Sequence, residues 1–277
     1  MILVNGVETE FVPAQDRGFQ FGDGLFETIA VIAGQPRLWL RHLARLTNGC
    51  ERLSLPVPEA LLLLTEIRRV AADRARAVVK IVVTRGSGGG GYAPAANTSP
   101  DPNRIVIARD WPADPAEWDH GGVPAMFCDT RLARNPRLAG IKHLNRLEQV
   151  LAQHEVSAKT GTGTGAEGIV CDTSGYVIET CRANLFAVFG DLLATPDLNQ
   201  AGVAGVMRAE VMARAADAGI AVRESCFTPR ELLAADEIFV TNALINVRPI
   251  RAVGDRVMRA GPVTRRVQEM LREAPVS

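Results

Sequence analysis

The sequence predicts an α+β protein of two domains, and three observations predict it. Strand-like runs and helical spacings follow one another as strands, then two helices, then more strands, which is the segregated order of an α+β domain. A Pro- and Gly-rich break near residue 112 divides the chain into halves that each carry their own strands. A length of 277 residues at 47% hydrophobic content supplies enough apolar surface for two cores. The expected layout is a small N-terminal α/β domain over residues 1–111, a linker over 112–122, and a larger C-terminal α/β domain over 123–277.

In chain order, Asn5-Gly6 supplies the positive φ angles of a tight turn, so Ile2 to Val4 and Thr9 to Val12 read as a hairpin. Asp16 to Thr28 carries three glycines among aromatics and reads as a tight loop leading to a strand at Ile29 to Ile32. Leu43, Leu46, Cys50 and Leu53 recur at intervals of three and four and mark a helix from Arg41. Arg45 lies at the edge of that stripe with no evident acidic partner, which suits phosphate or carboxylate binding as well as a surface position with a packed stem. A second helix follows from Pro58 to about Ala75, then a strand from Val78 to Thr84, in which Lys80 reads as facing solvent or an edge. The glycine run from Arg85 to Tyr92 cannot be regular structure and lacks the Lys-Ser/Thr of a Walker loop. A strand from Arg104 to Arg109 ends the first half.

The second half opens on a strand from Val123 to Asp129 and reaches a helix in which Leu147, Val150, Leu151 and His154 share a face. Lys159 to Gly165 is a low-complexity surface connection. Gly168 to Cys171 and Tyr176 to Thr180 form a second hairpin, whose alternation allows Glu179 to point inward. A third strand begins at Asn184, and Gln200 to Arg208 feeds glycines into the N-terminus of a helix, which makes an anion cradle without net basic charge. Thr228-Pro-Arg-Glu231 is a capping box, Glu237 to Thr241 is a strand that ends at Asn242-Ala243, and a last helix runs from about Val263 to Arg272.

Composition excludes several classes of function. Thirty-one basic and thirty-one acidic residues cancel, leaving no field to gather nucleic acid. No run approaches a membrane span and no signal peptide is legible, so the expected address is cytoplasmic. Five cysteines without a C-x-x-C pair, and four histidines without metal spacing, suggest neither disulfides nor a metal site.

The chain holds three lysines, Lys80, Lys142 and Lys159, against twenty-eight arginines. Lys142 stands among Leu138, Ala139, Gly140, Ile141 and Leu144, just ahead of a helix whose amide dipoles disfavour an ammonium. Arg cannot surrender its proton, whereas a lysine in apolar company becomes an amine, a base and a nucleophile. A lysine at a helix start is the plain alternative. Lys142, an inward Glu179, Arg45 and the glycine-fed helix together match the needs of pyridoxal 5'-phosphate for a Schiff-base amine, an acid at the pyridine nitrogen and a phosphate cup.

The runs Arg134-Asn-Pro-Arg-Leu-Ala-Gly-Ile-Lys-His-Leu-Asn-Arg-Leu-Glu-Gln149, Phe21-Gly-Asp-Gly24, His42-Leu-Ala-Arg45, Glu179-Thr-Cys-Arg-Ala-Asn-Leu-Phe186, Gly202-Val-Ala-Gly-Val-Met-Arg208 and Asn242-Ala-Leu244 lie in order across nearly the whole chain. In them the sequence resembles the 4-amino-4-deoxychorismate lyase family of fold-type IV pyridoxal-phosphate enzymes, related to branched-chain and D-amino-acid aminotransferases. The resemblance implies a two-domain homodimer with the cofactor at the domain interface. It implies Lys142 as Schiff-base lysine, Glu179 at the pyridine nitrogen and Arg45 at the phosphate, with amides from Val206 and Met207 and a cup completed by Asn242 and Ala243. It also implies a small-molecule substrate, 4-amino-4-deoxychorismate, cleaved to 4-aminobenzoate and pyruvate for folate synthesis. Thr28 aligns with the family's proton donor, with a water relay as the alternative. Family members often carry Arg where this chain has Gly90 and a hydrophobic residue where it has Arg248. Substrate carboxylates are therefore expected at Arg134, Arg182 or Arg248. The rivals are a fold-type IV aminotransferase and a small-ligand binding protein that kept the fold.

Overall fold

A computed structural model describes residues 1–94, 102–115, 117–161, 163 and 165–272. Among the described residues the chain forms two compact units, the first made of Met1–Pro112 with Ile141–Asn145, the second of Ala113–Gly140 with the residues from Arg146 to Arg272.

In the first unit the elements are β1 (Ile2–Val4), β2 (Val7–Glu8), α1 (Arg17–Phe21), β3 (Gly24–Ile32), β4 (Gln35–Pro36), α2 (Trp39–Leu53), α3 (Ala60–Ala71), β5 (Arg76–Thr84) and β6 (Arg104–Asp110). They build a six-stranded antiparallel sheet in the order β2-β1-β6-β5-β3-β4. β3 and β5 are rich in β-branched residues, and their alternation sends Leu25, Glu27 and Ile29 to one face and Phe26 and Thr28 to the other. Helix α2 lies close to β3, because a Cβ on Gly49 would stand 2.8 Å from Leu25 Cδ1. Leu25, Ile29, Leu46, Cys50, Leu63, Ile67 and Ile81 are buried around that contact. Each such aliphatic side chain contributes about 1.5–3 kcal/mol by leaving water.

The hairpin is shorter than expected, because Val7 and Glu8 close directly on β1. The glycine-rich stretch is not all loop. Asp16 caps α1 by accepting from the Phe19 amide at 3.1 Å, Gly22 ends it with φ 67°, and β3 begins at Gly24. Lys80 is neither at an edge nor fully in solvent; it sits half-buried on β5, the strand between β3 and β6.

In the second unit the elements are α4 (Glu117–Gly121), β7 (Val123–Leu132), α5 (Leu147–Thr160), β8 (Glu167–Asp172), β9 (Val177–Thr180), β10 (Asn184–Phe189), β11 (Leu192–Pro196), α6 (Val206–Asp217), β12 (Ala221–Ser225), α7 (Pro229–Leu233), β13 (Glu237–Asn242), β14 (Asn246–Val253), β15 (Arg256–Val257) and α8 (Pro262–Arg272). The mixed sheet runs β12-β11-β10-β13-β14-β7-β8-β9, with β15 on β14. β7 pairs in parallel with both β8 and β14, and β8 is buried along its whole length. Two apolar clusters fill its faces, one around Ile169, Leu185, Val240 and Ile250, the other between β8 and α5 around Cys128, Val156, Val170 and Ile178.

Two boundaries differ from the sequence reading. The expected linker contains α4, where Asp114 and Asp119 bind Arg248 of β14, so much of it is built into the second unit. Ile141–Asn145, which carries the lysine, folds with the first unit, not with the C-terminal half of the sequence. The cause is strand pairing, as Phe26 N donates to Lys142 O at 2.9 Å and Leu144 N donates to Gly24 O at 3.0 Å. Thr162 and Thr164 of the Lys159–Gly165 stretch lie outside the described residues, as does Ala116 of the expected linker.

Candidate active site

Lys142 rides on the short segment that extends the first sheet along the free part of the β3 edge, with a bridge between Leu25 and His143. That register puts Lys142 opposite Phe26, and its Nζ lies 4.4 Å from the centroid of the Phe26 ring. Lys80 Nζ lies 4.8 Å from the same centroid. Thr28 is the register partner of Lys80, so Lys142, Phe26, Lys80 and Thr28 share one stretch of sheet. Burial, with the Arg109 charge, holds the Lys80 ammonium below its ordinary pKa. The scarcity of lysine had pointed to Lys142 alone, yet the same signal applied to Lys80.

On the helix-covered face of β3, Glu27 is 1% exposed and receives α2 from two sides. Arg45 Nε donates to Oε1 at 2.8 Å, Arg45 Nη2 donates to Oε2 at 2.5 Å, and His42 Nδ1 donates to Oε2 at 2.6 Å. The i and i+3 positions on α2 put His42 and Arg45 over the same strand residue. Burial pushes the Glu27 carboxyl up, but the Arg45 charge and these hydrogen bonds outweigh it and bring its pKa down to about 2. Burial in turn pushes the His42 imidazole below its ordinary value. Neutral His42 gives Nδ1–H to Glu27 and keeps a buried Nε2 without a hydrogen-bond partner. Arg45 thus has the acidic partner that the sequence did not reveal.

In the second unit, Glu179 is 5% exposed at the end of β9. Its Oε2 accepts from the Val203 amide at 2.9 Å and its Oε1 accepts from Gln149 Nε2 at 3.3 Å. Val203 belongs to the loop entering α6, and Asn184 Nδ2 fixes that loop by donating to Val203 O at 2.8 Å. The Gly140 and Gly202 backbones join there too, with Gly140 N donating to Gly202 O at 2.9 Å. Gly205 precedes α6 and brings no side-chain cap, while Val206 and Met207, the first residues of the helix, are buried. First-turn amides have no partner within their own helix, so this N-terminus suits an anion. A Cβ on Gly205 would stand 1.9 Å from Asn184 Oδ1, so any side chain there would have to displace Asn184. Asn242 Oδ1 accepts from the Leu244 and Ile245 amides and its Nδ2 donates to Arg182 O, so it shapes the turn that holds Ala243.

The three arginines expected for substrate carboxylates all meet acids. Arg134 Nη1 donates to Asp172 at 3.1 Å, and Arg182 Nε donates to the buried Glu167 at 2.8 Å. Arg248, 3% exposed, divides its guanidinium between Asp114 and Asp119 and stands 5.4 Å above the Trp118 ring. Arg134 and Arg182 retain partly exposed guanidinium groups; Arg248 does not.

A family model described as amino-transferase class IV matches residues 24–253. The chain belongs to the aminotransferase class IV family. Within it, the chain is 37% identical to aminodeoxychorismate lyase of Vibrio harveyi, over 97% of this chain and 98% of that protein. The crystal structure of 4-amino-4-deoxychorismate lyase from Pseudomonas aeruginosa matches at a TM-score of 0.92 and 42% identity, covering 100% of both chains. The branched-chain amino acid aminotransferase of Escherichia coli matches at 0.85 and 26%, over 97% of this chain and 92% of that one. The fold is therefore the fold-type IV, aminotransferase-like fold of this family.

Proposed function

We propose that this chain is a pyridoxal-phosphate-dependent lyase that converts 4-amino-4-deoxychorismate to 4-aminobenzoate and pyruvate. The observation that carries the reading is the full-length match to the Pseudomonas aeruginosa lyase at 42% identity, against 26% for the aminotransferase. The residues fit the cofactor on their own chemistry, with a lysine against an aromatic ring, a buried carboxylate held by a backbone amide, and an uncapped, buried helix N-terminus. When bound, pyridoxal phosphate supplies the electron sink that the elimination needs.

In this reading Lys142 would hold the cofactor through its aldehyde, and its amine would serve as the base toward the proton on the ring carbon bearing nitrogen. Glu179, whose Oε2 accepts from the Val203 amide, would face the pyridine nitrogen. Arg45, aimed by Glu27, and the Val206 and Met207 amides would hold the phosphate, with the Asn242–Ala243 turn completing the cup. Breaking the bond between the ring and the enolpyruvyl oxygen aromatises the ring. Thr28, or a water beside it, protonates the departing enol on its way to pyruvate. Lys80 offers a cation on the same stretch of sheet for a substrate carboxylate, and Arg134 and Arg182 offer two more.

The protein is proposed to act as a cytoplasmic homodimer on a small molecule, without nucleic-acid or membrane partners. Leu147, Val150 and Leu151 form an exposed apolar stripe on α5, which supports association of two copies. Among the described residues no helix is long and apolar enough to cross a membrane.

Incubating the holoenzyme with 4-amino-4-deoxychorismate and no amino acceptor tests the function. Catalytic release of 4-aminobenzoate and pyruvate is the expected outcome. Dependence on a 2-oxo acid, with nitrogen transfer as the main activity, overturns the lyase in favour of an aminotransferase.

A further inference from the structure

Gln149 touches the candidate site, yet the proposed reaction gives it no task. It stands in the first turn of α5, three residues after the N-cap Arg146, and that cap has no side-chain hydrogen bond. A glutamine at this position can accept from the N-cap amide through Oε1, and so satisfy one of the donors that a helix leaves open at its start. Gln149 does not use that option. Its Oε1 is buried and accepts from no group among the described residues, while its Nε2 donates to Glu179 Oε1 at 3.3 Å, thirty residues along the chain.

Stability does not explain this choice. A buried acceptor without a donor opposes folding, and an apolar side chain of similar length would remove that cost. Turning the amide over would set Oε1 against a carboxylate oxygen, so Glu179 fixes which way the amide faces. The other oxygen of Glu179 accepts from the Val203 amide at 2.9 Å. Gly202 presents that amide with a φ of 85°, and a Cβ there would stand 2.6 Å from Ile178 Cγ2 and 3.3 Å from Glu179 Oε2. One carboxylate oxygen is thus held by backbone and the other by the Gln149 side chain. At 5% exposure, Glu179 has little water to replace either donor.

We propose that Gln149 is a positioning residue, which holds the Glu179 carboxylate in the plane from which it would meet the pyridine nitrogen. The terminal torsion of a glutamate is broad, so one donor leaves the carboxylate free to turn and a second on the other oxygen fixes it. An arginine could do the same, but its charge would compete with the pyridine nitrogen for the acid. The neutral amide directs the carboxylate without neutralising it. This role rests on Glu179 being the acid at that nitrogen, as proposed above.

Gln149→Met, Glu179→Gln and the double variant test it as full-length protein. The readouts are titration with pyridoxal 5'-phosphate, the position of the visible cofactor band, and thermal melts of the cofactor-free forms. Gln149→Met is expected to raise the cofactor Kd about tenfold, the worth of one hydrogen bond to a charged group, and to shift the band. Its cofactor-free form should melt at or above the wild-type temperature. The double variant should bind no more weakly than Glu179→Gln alone, because Gln149 acts through that carboxylate. A wild-type Kd and band in Gln149→Met, a loss that adds in full to that of Glu179→Gln, or a Gln149→Met protein that melts lower or fails to fold overturns the proposal. If Glu179→Gln itself leaves Kd and band unchanged, the assignment of Glu179 falls and takes this role with it. If Glu179→Gln is impaired and Gln149→Met is not, the role of Gln149 falls alone.

Discussion

Glu27 and Arg45 meet in a two-bond fork beneath the sheet face that carries Lys142, with His42 donating to the same carboxylate. The fork fixes the direction of the Arg45 guanidinium before any ligand arrives. A buried ion pair is weak evidence for net stability, but removing one partner leaves the other buried and uncompensated, at a cost of about 3–5 kcal/mol. Glu27→Gln is therefore expected to lower the unfolding midpoint strongly and to weaken cofactor affinity, read by thermal melts and by titration of the visible cofactor band.

The same cluster sets a pH window. Folding lowers the Glu27 carboxyl from 4.5 to about 2. Between those values the unfolded chain binds a proton that the folded chain does not, so stability falls with falling pH. The contribution is fully present above about pH 4.5 and is lost on the way to about pH 2. Urea unfolding of wild type and Glu27→Gln at several pH values should show their difference shrinking across that window. A gap that is constant from neutral pH down to about pH 2 contradicts the assignment.

Lys142→Ala is expected to abolish the visible cofactor absorbance and to cost at least about 10³-fold in turnover, since base and anchor are lost together. Lys80→Met, which keeps the stem against Phe26 but removes the charge, should keep the absorbance. Its KM should rise about tenfold or more, the worth of one charged hydrogen bond. A Lys80 variant with unchanged KM removes it from substrate recognition.

The different legibility of these residues has a physical basis. Helix α2 was readable because burial on one face imposes a helical period, whereas β9, buried at all four positions, carries no such alternation and Glu179 was placed inward by strand geometry alone. The Arg45 partner was not readable, because Glu27 lies eighteen residues away on a strand whose glycine-rich start carries no strand pattern. Helix α1 and the early start of β3 were hidden by glycines that serve as cap and close-packing residue. Nothing local tells that Ile141–Asn145 leaves the C-terminal unit to pair with β3, since that pairing is made across more than a hundred residues.

Gly205→Ala tests the entry to α6. The added methyl would stand 1.9 Å from Asn184 Oδ1, and Asn184 is the residue that ties Val203 in place, so the loop and the first-turn amides must shift. Overpacking of this kind costs about 1–3 kcal/mol. Cofactor affinity should fall at least tenfold, with the loss in binding larger than the loss in thermal stability of the cofactor-free protein. Equal losses in both assign Gly205 to packing alone.

Arg248 separates a structural arginine from a substrate arginine. Its guanidinium is buried between Asp114, Asp119 and the Trp118 ring, and it joins α4 to β14. Arg248→Met keeps the volume and the ring contact but leaves two aspartates without their cation. Both aspartates reach solvent in part, so the cost should be about 1–3 kcal/mol, below that of a fully buried pair. The expected outcome is a lower melting temperature with KM for 4-amino-4-deoxychorismate within about twofold of wild type, since no group that meets substrate is removed. A KM increase of tenfold or more at unchanged stability would return Arg248 to the substrate and leave Arg134 and Arg182 as the structural pair.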